Sequence, residues 1–143
     1  MSLEDSYFSR MLRGEIPPPP VATLLGGRID SVNREDGILR ARYQAEVAFC
    51  NPAGQVQGGM LCAMLDDLCA AMVDATVMPD EAVATLNLNT SFLRPAEVGE
   101  LVGEATMIRR GRDICYVSAV LRQRGNEVAV ATATCKVVAL RQA

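Results

Sequence analysis

Histidine is absent from all 143 residues, and this absence decides which chemistry is open to the chain. Imidazole is the side chain whose proton equilibrium lies nearest neutrality, so general acid or base work here falls to carboxylates. A zinc site of cysteine and histidine is excluded for the same reason. The five cysteines (Cys50, Cys62, Cys69, Cys115, Cys135) are odd in number, lie in apolar contexts and lack CxxC spacing. They point to reduced, buried small hydrophobes and a cytoplasmic location, not to a disulfide framework or a metal centre. With no imidazole to lower a thiol pKa, a cysteine nucleophile is disfavoured.

Blocks of like charge are also missing. The formal net charge is −3 with both signs interspersed, so nucleic acid is not an expected partner. The start, Met1 to Ser6, is acidic with no apolar run behind a basic end, which is unlike a secretory signal. The longest weakly charged stretch, Gly58 to Pro79, is broken by Asp66, Asp67 and Asp74, which argues against a membrane span and a membrane partner. No internal repeat occurs, and the one low-complexity feature is Pro17 to Pro20, a stiff polyproline-like spacer.

What is present suits one domain. Half of the residues are apolar, ample for a single core. Residues 1–20 read as a short amphipathic helix (about Glu4 to Leu12) and the proline spacer that separates it from the body, residues 21–143. Gly27 to Asn33 and Gly37 to Phe49 alternate apolar and polar side chains around the turn Asn33 to Gly37, as a β-hairpin does. Gly58 to about Val77 lacks that period, is rich in Ala, Leu and Met, and stops before Pro79, the pattern of a helix apolar almost all round. Four strand candidates follow: Val83 to Leu93, Leu101 to Arg109, Ile114 to Arg124 and Glu127 to Leu140. Gly125-Asn126 between the last two is a two-residue hairpin signal, so these strands should be antiparallel neighbours. The order predicts an α+β fold, a single antiparallel sheet curled around one long helix. Its edges and outer face then need cover from a second subunit.

The chemistry concentrates in Asn51-Pro52-Ala53-Gly54-Gln55-Val56-Gln57-Gly58-Gly59, the loop that feeds the helix, and in Asp66 and Asp67 two turns along it. A helix N-terminus directs free N–H groups at an incoming oxygen, and a carboxylate in apolar surroundings can act as base or nucleophile. Gly58-Gly59 reads either as that oxyanion site or as a flexible junction. Asp67 lies about 100° around the helix from Asp66, so the two cannot share a face and one of them falls at the solvated rim. Asn51 and Gln57 offer neutral amides for a carbonyl or a water, though Asn51-Pro52 is also an ordinary turn opener. Met60, Met64 and Met72 at near-helical spacing read as adaptable core, and second as the lining of an acyl pocket.

These residues resemble the hotdog-fold acyl-CoA thioesterases, in particular the phenylacetate-degradation branch. The resemblance rests on Asn51-x5-Gln57-Gly58-Gly59-x6-Asp66, on Leu93-Arg94-Pro95-x3-Gly99-Glu100 and on Arg110-Gly111-Arg112, and spans about Gly26 to Ala139. In that family a histidine usually precedes the glycine pair, where this chain has Gln57. The resemblance implies hydrolysis of a thioester to a carboxylic acid and coenzyme A, with no metal or other cofactor, in a homo-oligomer (a dimer, or dimers paired into a tetramer). It implies that the Gly58 N–H polarises the carbonyl, that Asp66 is base or nucleophile, and that Asn51, Gln57 and Thr85 complete the catalytic set. Coenzyme A would meet Gly59, Arg109, Arg110, Gly111 and Arg112, although a charged hairpin is as readily a solvated turn, and Thr85 as readily a plain strand residue. A non-hydrolytic acyl-CoA binding or regulatory protein is the rival reading. A hydratase of the same fold is disfavoured, since those relatives lean on a catalytic histidine.

Overall fold

Side-chain alternation sets the sheet. In β2 (Ile38–Ala45), Leu39, Ala41, Tyr43 and Ala45 are buried while Arg40, Arg42 and Gln44 face outward, the period of a strand with one covered face. It pairs with β1 (Arg28–Asn33) through the expected turn: Asn33 Oδ1 accepts the Asp36 N–H at 2.9 Å, and Gly37 sits at φ 68°. The second strand stops at Ala45, short of the expected Phe49, because Val47–Phe49 turns into a 3-10 helix that buries Phe49.

The sheet is completed by β3 (Glu81–Phe92), β4 (Gly99–Arg110), β5 (Ile114–Gln123) and β6 (Asn126–Ala139). Its order is β1-β2-β4-β5-β6-β3, antiparallel throughout, with β1 and β3 as edges. The model is a computed structural model and describes residues 1–141; Gln142 and Ala143, the end of the expected 21–143 unit, lie outside the described residues. The hairpin between β5 and β6 forms as expected but turns one residue earlier. Arg124 (φ 51°) and Gly125 (φ 81°) are its centre and Gln123 pairs with Asn126, because a tight hairpin turn of this twist needs two consecutive positive φ angles.

The long helix is α3 (Gly58–Asp74), which lays Leu61, Met64, Leu65, Leu68, Cys69, Met72 and Val73 on the sheet. Met64 and Met72 are fully buried there and Met60, partly exposed, packs against the same core, as the core reading of the methionines has it. The helix ends at Asp74, three residues before the expected Val77. Its last carbonyls find other donors: Thr76 Oγ1 donates to Val73 O at 2.6 Å, and Arg34 Nε to Ala75 O at 2.6 Å. No helix among the described residues is long and apolar enough to cross a membrane.

The N-terminal helix, expected to stand apart behind its proline spacer, packs on the body. α1 (Tyr7–Leu12) is capped by Ser6 and inserts Phe8, 1% exposed, into the common core. Arg34 clamps it from the β1–β2 turn, with Nη2 donating to Ser9 Oγ at 3.0 Å and the guanidinium 5.7 Å from the centre of the Phe8 ring. Pro20 does not continue a spacer but opens a short helix, α2 (Pro20–Leu24). Proline suits a first helical position because its missing N–H would have no partner there.

α3 packs tightly on β4 at Gly103, where a Cβ would lie 2.5 Å from Leu68 Cδ1, in a side chain that is fully buried. Gly103→Val should therefore cost about 1 to 3 kcal/mol in urea unfolding at fixed protein concentration. Leu68→Ala placed in the same chain should recover part of that loss, whereas simple additivity of the two changes would count against the close contact.

Candidate active site

The Asn51–Gln57 loop is folded by its own polar groups. Asn51 Oδ1 accepts the N–H groups of Ala53 (3.0 Å) and Gln55 (3.2 Å), and the Gln57 N–H donates to Phe49 O at 2.8 Å. The turn-opener role of Asn51 is thus filled by its carbonyl, and among the described residues its Nδ2 has no acceptor. Gln57 stands at the N-cap of α3 but its side chain makes no cap bond. The first N–H groups of α3 consequently face outward at the positive end of the helix. A Cβ on Gly58 would come within 3.0 Å of the Phe92 ring. Glycine keeps that gap open beside a cavity of about 360 Å³ walled by Val56, Leu61, Phe92 and Pro95.

Two turns along α3, the adjacent carboxylates point to opposite flanks. Asp66 accepts from Thr85 Oγ1 of β3 at 2.7 Å, and Asp67 from Tyr43 Oη of β2 at 2.7 Å. Neither is the solvated rim residue that the 100° offset suggested, because each flank supplies a hydroxyl. Burial pushes the Asp67 carboxyl above the ordinary aspartate range, the Tyr43 bond opposes this, and the nearby Asp66 charge adds to it. Cys69 and Cys135 flank Asp66. Burial drives both thiols up, Cys69 to about 12, which leaves them as the inert hydrophobes expected. Among the described residues no three His, Cys, Asp or Glu side chains gather as metal ligands.

A bulge in β3 aims this site. The register passes from Thr85 opposite Cys135 to Asn87 opposite Thr134, leaving Leu86, 57% exposed, as the extra residue. Strict alternation would send Thr85 and Phe92 to opposite faces. With the extra residue, Thr85 pairs across from buried Cys135 and Phe92 across from buried Ala129, so both face α3. The bulge thus brings Thr85 to Asp66 and Phe92 to Gly58.

The arginine hairpin lies at the other end of α3 from Gly58. Arg110 Nε donates to Thr76 Oγ1 at 2.9 Å and its Nη1 to Gly111 O at 2.6 Å, which fix its exposed head between its own turn and the end of α3. Gly111 is required by that turn: a Cβ there would collide with the Ile114 carbonyl oxygen. Arg109 and Arg112 are exposed and form no ion pair among the described residues. Gly59 is exposed in the first turn of α3 with open space around its Cα.

Residues 47–136 match the family described as the acyl-CoA thioesterase N-terminal domain, and the chain belongs to that family. A phenylacetic acid degradation-related protein from Ralstonia eutropha, of known crystal structure, is 57% identical over 92% of this chain and 99% of its own, with a TM-score of 0.91. The E. coli PaaI protein from the phenylacetic acid degradation operon is 17% identical over 94% of this chain and 96% of its own, and at a TM-score of 0.80 shares the hotdog architecture. A Halobacterium salinarum protein provisionally named an esterase is 30% identical over 95 residues, 64% of this chain. The match spans 62% of that relative's length.

The sequence did not point to Phe92, Tyr43 or Asp74. Tyr43 could have been suspected as a polar-tipped residue on the buried face of its strand, whereas Phe92 is aimed by a bulge that leaves no mark in the sequence. Asp74, in the last turn of α3, is pushed up from 3.8 to about 6 by burial. Between those values the folded chain keeps a proton that the unfolded chain has lost, so stability falls as pH rises through the window. Asp74→Asn should remove this dependence. From pH 4 to pH 7 the parent should lose about 1 to 3 kcal/mol more than the variant in urea titrations; equal slopes would mean that Asp74 ionises freely in the fold.

Proposed function

We propose that this protein hydrolyses acyl-CoA thioesters at a site assembled across two subunits. One observation carries the reading: in a chain of the acyl-CoA thioesterase family, the Asp66 carboxylate is held by Thr85 at 2.7 Å on the same helix whose N-terminus is uncapped at Gly58. Eight residues separate them, about 12 Å along the axis, while groups acting on one carbonyl must come within about 3 Å. A second copy related by a two-fold axis, with its helix antiparallel, sets its own Asp66 opposite this chain's Gly58. The exposed edge strand β3, with Leu86 and Phe92 on it, is the natural seam for such a partner. Dimers pair further into a tetramer in this reading, in the cytoplasm, where the five thiols stay reduced.

In the chemical step the Gly58 N–H donates to the thioester oxygen and stabilises the oxyanion as the tetrahedral intermediate forms. Asp66 takes a proton from water as the water oxygen bonds to the carbonyl carbon. Collapse breaks the C–S bond and the proton passes to the departing thiolate, giving a carboxylic acid and coenzyme A. In the covalent variant Asp66 itself attacks, the C–S bond breaks, and water then hydrolyses the mixed anhydride. Thr85 orients the carboxylate, while the Gln57 and Asn51 amides orient water or carbonyl. Arg109 and Arg112 meet the phosphates of coenzyme A, with Gly59 leaving room for its arm.

A panel of acyl-CoAs with a thiol-trapping dye tests the activity directly, and binding without thiol release would make the protein a carrier instead. Asp66→Ala should lower kcat by about 10² to 10⁴, and Gly58→Val should also inactivate by closing the gap beside Phe92. Reassembling the two dead variants in equal amounts should restore activity toward a quarter of the parent's, since half of the dimers are mixed and each of these holds one intact site. No recovery despite proven subunit exchange would put both groups in one subunit's site.

Arg109→Ala with Arg112→Ala should raise KM while kcat is largely kept, because phosphate contacts stabilise ground and transition states alike. Arg110→Ala should instead act on stability, having lost its bond to Thr76. Unchanged KM in the double variant would leave the hairpin as a solvated turn.

A further inference from the structure

Past Asp66 the open side of α3 borders a larger cavity of about 710 Å³, within the range that encloses a whole small molecule. Its floor is the helix stripe Asp67, Ala70, Ala71 and Asp74, residues three and four apart on one face. Tyr43 stands on one flank and Val83 on the other. The roof is the N-terminal segment, with Phe8 and Met11 from α1 and Val21 from α2, held down by the Arg34 clamp.

Two relations join this cavity to the Asp66–Thr85 pair. Ala70 is the next residue on the Asp66 face, one helical turn on. Val83 precedes Thr85 by two residues and shares its inward direction, pairing across from buried Val137. Asp66 and Thr85 do not themselves line the cavity, but through Ala70 and Val83 the space opens beside them, on the side where a group bonded to a carbonyl carbon there has room. Alanines on the floor keep it open, on a helix whose sheet-facing positions are Leu, Met, Cys and Val. From Asp67 to Asp74 the floor runs seven residues, about 10 Å, the reach of a hydrocarbon chain of about eight carbons. Of the four charged side chains around it, three are carboxylates (Asp67, Asp74, Glu81), against Arg28 alone.

We propose that this cavity is the chamber for the acyl group, that it takes an uncharged chain of about eight carbons beneath the α1–α2 roof, and that its carboxylates reject acyl groups ending in a second carboxylate. The proposal rests on the thioesterase reading for the chemistry that delivers an acyl group, while the shape of the chamber is independent of turnover.

S-alkyl coenzyme A thioethers, which cannot be hydrolysed, test the shape on the full-length protein. From ethyl to about octyl, Kd should fall about three- to fourfold per methylene, and then level off. Ala70→Phe, which fills the floor, should bring the plateau to about butyl. Met11→Ala, which thins the roof, should move it beyond octyl and serves if the first variant does not fold. In turnover, kcat/KM should break at the same length, and an octanoyl-CoA analogue with a terminal carboxylate should be at least tenfold poorer. Affinity independent of alkyl length in the parent, or an unmoved plateau in folded variants, overturns the chamber and leaves the cavity to be filled by a second copy of the chain. Equal turnover of the two octanoyl compounds overturns the role of the carboxylates. The expected plateau without thiol release from any acyl-CoA supports the chamber and removes the thioesterase reading.

Discussion

α3 has no polar face wide enough to meet water on its own, and the rest of the fold answers that constraint. Seven of its side chains from Leu61 to Val73 are buried against the sheet. At about 1.5 to 3 kcal/mol for each large one taken out of water, this outweighs any single hydrogen bond in the chain. A sheet that curls round a helix cannot close over it, so one side of α3 is left outside the core. That side carries Asp66, Asp67, Ala70, Ala71 and Asp74, all partly exposed. The carboxylates therefore occupy the face that stability does not use, and polar groups there do not break up the core.

The two central carboxylates are each held by a hydroxyl, Asp66 by Thr85 and Asp67 by Tyr43, and among the described residues neither has an arginine partner. Two arginines of β2 are paired with other carboxylates, Arg42 with Asp30 and Arg40 with Glu104, on the outer face of the sheet. A guanidinium would hold a carboxylate permanently as the anion, with its basicity suppressed. A hydroxyl fixes its direction without setting a permanent positive charge beside it. In a chain without imidazole, that distinction decides whether a carboxylate can serve as a base.

What the sequence disclosed was local, and what it concealed was pairing over distance. The Gly58-Gly59 junction and the apolar run behind it are legible because helix starts are properties of neighbouring residues, whereas Thr85 stood out only through the family resemblance. Burial of Asp67 depends on Tyr43, 24 residues away in sequence, and docking of the N-terminal helix depends on Arg34 reaching both Ser9 and Ala75. A run of prolines describes its own stiffness but not the surface it lies against. The turn at Arg124-Gly125 was displaced by one residue because register, not composition, chose which two residues take positive φ. The bond from Arg110 to Thr76, 34 residues away in sequence, is hidden in the same way.

The extra residue at Leu86 interrupts an edge strand, and an interrupted edge is a key as well as an aiming device. An uninterrupted edge offers the same row of N–H and C=O groups every two residues, so an added strand can slip along it without penalty. β3 offers two such rows, before and after Leu86, offset from one another. A partner strand can satisfy both only where its own break meets this one. The residue that turns Thr85 and Phe92 toward α3 thereby also guards against indiscriminate association, presenting an unbroken β-strand with a ladder that fails halfway.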